Sequence, residues 1–91
     1  MNYKGTFENY CKTYIAGKTF EKPEQYAQIE WEAKKKYELK AKIMEMDNHL
    51  THEAEIILEQ ASEDDGDNKL SSEFNIIKEK YLGEFKTKYS D

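Results

Sequence analysis

From Pro23 to about Ala61 the apolar residues recur at helical spacing, and every other segment is sized to pack against this stretch. Tyr26, Ile29, Ala33 and Tyr37 mark its first half; Ile43, Met46, Leu50, Ala54, Ile57 and Ala61 mark its second. Two forms fit this pattern: one long helix, or two helices hinged near Asp47–Asn48–His49. Phased as heptads, Ile29, Ile43, Leu50 and Ile57 share one position with Lys36, while Tyr26, Ala33, Ala54 and Ala61 share the other with Lys40 and Asp47. A seven-residue repeat drifts around a straight helix and wraps its partner in a left-handed sense. The polar breaks favour packing within the chain over a dimer seam.

Two flanking segments carry the same period. Phe7, Tyr10, Cys11, Tyr14 and Ile15 form a one-faced short helix, with Thr6 as its expected cap and Gly17 at its end. Phe20, in the loop that follows, is placed to tuck under the helices, and Pro23 suits the first turn of the central helix. Leu70, Phe74, Ile77, Tyr81, Phe85 and Tyr89 mark a last helix, capped by Ser71 or Ser72 and weakened at Gly83. The chain contains no valine, and the helix formers Glu, Lys, Ala, Leu and Gln are abundant. The expected fold is all-α: a small helical bundle over residues 1–91, a single domain built on one long or kinked central helix.

The composition narrows the function classes. All 14 basic residues are lysine and the net charge is −5. Without arginine, the usual residue for bidentate phosphate or guanine contacts, a direct nucleic-acid reader is disfavoured. One cysteine rules out an internal disulfide framework and points to a reducing compartment. Cys11 lies on the apolar face of the first helix, as a packing residue. No apolar run approaches the length of a membrane span, so a soluble, cytoplasmic protein is expected. Richness in Lys, Asn, Ile and Tyr without Arg or Val also resembles AT-rich coding, common in low-GC bacteria and their phages.

Charge is distributed along the chain in blocks. Lys34, Lys35, Lys36, Lys40 and Lys42 crowd one segment, and no basic residue occurs between Lys42 and Lys69. Glu45, Glu53, Glu55, Glu59 and Glu63 fall in that acidic interval. On a continuous helix Trp31, Glu38, Glu45, His49, Ile56 and Glu63 run down one outward line, with His52, Glu55 and Glu59 beside it. Trp31 has two readings: an anchor for a partner, or a packing residue under the first helix or the Phe20 loop. The tyrosines fall mostly on apolar stripes, which suits core packing better than base stacking.

The run from Glu63 to Phe74 resembles an EF-hand calcium loop, with acids at positions one, three and five (Glu63, Asp65, Asp67), Leu70 at eight and Ser71 at nine. It departs from the motif at six, where Asn68 replaces glycine, and at twelve, where Phe74 stands and Glu73 falls one residue early. Glu63, Asp65, Asp67 and Glu73 are thus weak metal candidates. His49 and His52 have ligand spacing but no third ligand. No nucleophile–base set and no glycine-rich phosphate loop is assembled, and no cofactor is expected.

The functional expectation is a non-catalytic protein-binding module, of the phage or mobile-element inhibitor type, acting on a host protein with a basic surface. The partner-binding set is Trp31, Glu38, Glu45, His49, His52, Glu55, Ile56, Glu59 and Glu63. The alternatives are a calcium- or metal-responsive helix-loop-helix using residues 63–73, and a structural homodimeric coiled coil. Neither direct nucleic-acid nor membrane binding is expected; a homodimer remains open.

Overall fold

The computed structural model describes residues 2–64 and 69–90, with the backbone alone at residues 62–64. The described residues form three helices, α1 (Tyr3–Ala16), α2 (Gln28–Asp64) and α3 (Lys69–Tyr89), and no strand. The central helix is continuous through Asp47–His49, without the hinge that the sequence left open. Its 37 residues give the molecule its rod shape, 53 × 18 × 17 Å.

Both flanking helices run antiparallel to α2. Along α1, Phe7 lies beside Ala54 and Tyr14 beside His49, and the loop then carries Phe20 to Trp31. Along α3, Phe74 lies beside Ala54, Lys78 reaches Asp47, and Tyr89 meets Phe20. The core is Tyr3, Phe7 and Cys11 of α1, Leu39, Met46, Leu50, Ile57 and Ala61 of α2, and Leu70, Phe74, Ile77, Leu82 and Phe85 of α3. Phe7 and Phe74 stack with ring centroids 4.5 Å apart, fixing α1 against α3 through an offset aromatic contact.

Several boundaries differ from the sequence reading. The first helix begins at Tyr3, which is buried, and Asn2 caps it by accepting from the Gly5 N–H at 2.9 Å. Thr6 lies one turn inside, its hydroxyl donating to the Asn2 carbonyl. Pro23 is not in α2: its carbonyl closes a turn with the Tyr26 N–H, and Lys22 donates to the Tyr26 carbonyl. Among the described residues α3 runs from Lys69, so Ser71 and Ser72 lie inside its first turn rather than capping it, and Leu70 is buried in the core.

The largest correction concerns the first half of the central stripe. Ile29 is 82% exposed and Tyr37 74%, and Ala33 is exposed as well. The residues that turn inward there are Trp31 and Leu39. Two positions along a helix are about 200° apart, so Leu39 and Tyr37 face nearly opposite ways. Trp31, Lys35, Leu39, Lys42 and Met46 continue the C-terminal core stripe at spacings of three and four, whereas the heptad of Leu50 and Ile57, carried back by sevens, drifts off it before reaching Ile29. Phe20 and Tyr89 supply the cover at this end, and only on the Trp31–Leu39 side.

Candidate protein-binding surface

The outward line read from the sequence separates into two sets. Glu38, Glu45, His52, Glu55, Ile56 and Glu59 are exposed along α2. Trp31 and His49 turn inward instead. Trp31 is 9% exposed, its ring 5.2 Å from Phe20 and 6.2 Å from Tyr26. The packing reading of Trp31 therefore describes its position, although its edge still lines a shallow crevice with Glu38 and Glu45. His49 is half-buried between α1 and α2, stacked on Tyr14 at 4.4 Å, with Nε2 hydrogen-bonded to the Tyr10 hydroxyl. Burial, and next the nearby Glu53 carboxylate, raise the Tyr10 phenol; burial, then Glu45, raise that of Tyr14. Both phenols thus stay protonated and available as donors at neutral pH.

The exposed set occupies one side of a single rigid helix, which fixes the spacing of its carboxylates. Ile56 is 40% exposed among His52, Glu55 and Glu59, an apolar side chain set in a ring of polar ones. That arrangement suits a small anchor with a charged rim. No ion pair within the described residues engages Glu38, Glu45, Glu55 or Glu59, so their charge faces solvent.

The calcium-loop candidates lie elsewhere. Asp65 and Asp67 lie outside the described residues, as does the Glu63 side chain. The flanking backbone is nonetheless informative. Glu63 is helical in α2, and Lys69 through Phe74 are helical in α3. A twelve-residue calcium loop takes the backbone carbonyl at position seven and a bidentate carboxylate at twelve as ligands. Here the position-seven residue, Lys69, is in a helix, and Phe74, at position twelve, is 1% exposed in the core. Among the described residues no three of His, Cys, Asp and Glu converge as metal ligands.

Cys11 is fully buried, and burial first, then Glu8, push its thiol up to about 11, with Lys78 pulling the other way. It therefore stays a neutral packing group rather than a nucleophile. Asp47, a misfit in the heptads, is matched by Lys78. Lys36 and Lys40, the other misfits, are exposed and line a groove with Lys86 over Leu39 and Ile43.

Among the described residues no helix is long and apolar enough to cross a membrane. No protein family, curated protein or solved structure matches the chain.

Proposed function

We propose that the protein is a non-catalytic binding module that engages a partner with a basic surface through the exposed acidic side of α2. The observation that carries this reading is Ile56, exposed among His52, Glu55 and Glu59 on a continuous helix. Carboxylates held at fixed spacing meet the same lysines and arginines that phosphates do, so such a face competes with nucleic acid for a basic groove. The lysine-only basic set and AT-rich style of composition suit a phage or mobile-element product that inhibits a host nucleic-acid-handling or defence protein. Glu38 and Glu45 extend the face toward the Trp31 crevice.

Affinity capture from a bacterial lysate tests this reading, with the wild-type chain compared with Glu55→Lys/Glu59→Lys. A partner with a basic surface should be retained by the wild type and released by salt, and the double reversal should fail to retain it. Equal retention by both chains would remove the acidic face from the account.

A further inference from the structure

A second stripe of α2 is exposed along most of its length and is not used by the bundle. Tyr37, Ala41, Met44, Asn48, Glu55 and Glu59 follow one another at three-, four- and seven-residue spacing, and all are exposed. Two of them are large apolar residues, Tyr37 at 74% and Met44 at 59% exposure. At 100° per residue these six positions lie within about 60° of one another around the helix. The heptad residues Leu50, Ile57 and Ala61, by contrast, are consumed in the intramolecular core.

Net charge changes sign along α2: residues 28–42 carry five lysines against three glutamates, and residues 43–61 carry five carboxylates and no lysine. The first half of the stripe runs beside Lys40 and beside Lys34, which pairs with Glu30 on its own helix; the second half carries Glu55 and Glu59. Lys40, Glu55 and Glu59 have no ion-pair partner within the described residues. A parallel pair of such helices would set lysine against lysine and glutamate against glutamate. Only the antiparallel arrangement puts each basic half against an acidic half.

We infer that the exposed stripe of α2 is a self-association surface, on which a second copy of the chain docks antiparallel about a two-fold axis near Asn48. With Asn48 at the axis, residues a given number of positions before it meet those about as many positions after it. Lys40 then lies beside Glu55 of the second copy, and Lys34 and Tyr37 lie beside its Glu59. Met44 packs near the axis in both copies, and Ala41 lets the helices approach. Two-fold symmetry forms each of these contacts twice, closing the assembly at two chains. The inference goes beyond the partner-binding reading and does not need it, but the two surfaces share Glu55 and Glu59. A basic partner and the second copy would therefore compete.

Light scattering on the full chain after size exclusion, with no other protein present, tests the proposal. At low salt and high protein concentration the wild type should have twice the mass of the 10.8 kDa chain. Lys34→Glu/Lys40→Glu, and Glu55→Lys/Glu59→Lys, should each weaken dimerisation about tenfold or more, because each juxtaposes like charges. Mixing the two variants should restore a dimer, since every reversed charge then meets its opposite. Circular dichroism should show both variants as helical as the wild type. A monomeric wild type, variants that dimerise as well as the wild type, or a mixture that stays monomeric would each overturn the proposal. None of these outcomes depends on whether a basic partner exists.

Discussion

Lys78 of α3 donates to Asp47 of α2 across 2.8 Å and also reaches the Thr51 hydroxyl, which itself donates to Asp47. The Lys78 side chain is only 13% exposed, so this polar cluster joins two helices at the edge of the core, beside Cys11 and Phe74. An ammonium in that position needs its carboxylate, because Thr51 alone does not offset its desolvation. Asp47→Ala should therefore destabilise the fold by about 1–2 kcal/mol, less than the ~3–5 of a fully buried pair because the Asp47 side of the contact is wet. Asp47→Leu combined with Lys78→Met should recover most of the loss, as isosteric apolar replacements of ion pairs do. Chemical denaturation of the three chains measures this; a double variant no more stable than Asp47→Ala would show the pair to be uncoupled.

Trp31 sits against Phe20 and Tyr26 at the far end of the rod. Trp31→Ala should lower stability by about 2–3 kcal/mol, below the ~3–5 of a central core site because the surrounding loop can partly close the gap. As Trp31 is the single tryptophan, its emission should be blue-shifted in the folded protein, and Phe20→Ala should shift it to the red. A wild-type emission maximum at the solvent-exposed position would contradict this packing.

These two sites show which parts of the architecture were legible from sequence. The α3 stripe and the second half of α2 were readable because most apolar residues there fit one phase, with Met44, Ile56 and Ile76 standing outside it. In the first half of α2 the sequence offers two stripes, Ile29–Ala33–Tyr37 and Trp31–Leu39, and helical period alone does not choose between them. The choice is made by Phe20 and Tyr89 arriving from distant parts of the chain. Asp47 looked like a fault in the heptads for the same reason, since Lys78 is 31 positions away, 78 less 47. In the candidate surface, Glu38, Glu45, His52, Glu55, Ile56 and Glu59 kept the outward positions that period assigned them. His49 did not, because the Tyr10–Tyr14 face of α1 lies over it.

Cys11 makes the fold sensitive to alkali. Its thiol is raised to about 11 in the folded protein, chiefly by burial, whereas an unfolded thiol titrates near ~8.5. The folded state thus holds the proton more tightly than the unfolded state does. The stability linked to that proton is complete below the unfolded value and is lost as pH rises through about 11. Thermal unfolding followed across this range should show the wild type losing stability more steeply than Cys11→Ala, a comparison that cancels the raised phenols of Tyr10 and Tyr14. At pH 8 a thiol reagent should modify the folded protein only as fast as it opens, and immediately in denaturant. Rapid modification of the folded chain would place Cys11 outside the core.

The acidic face of α2 makes its strongest commitment in the rate of partner association. Long-range attraction between this face and a basic surface is screened beyond about 8 Å at physiological ionic strength. Once a partner is captured, the measurement is its association rate with the wild type, Glu55→Lys/Glu59→Lys and Ile56→Ala, across a salt series. The wild-type rate should fall steeply with salt. The double reversal should be slow and nearly salt-independent, and Ile56→Ala should keep the wild-type association rate but dissociate faster. An association rate indifferent to salt and unchanged by the double reversal would contradict the account and leave the face as a solvated surface.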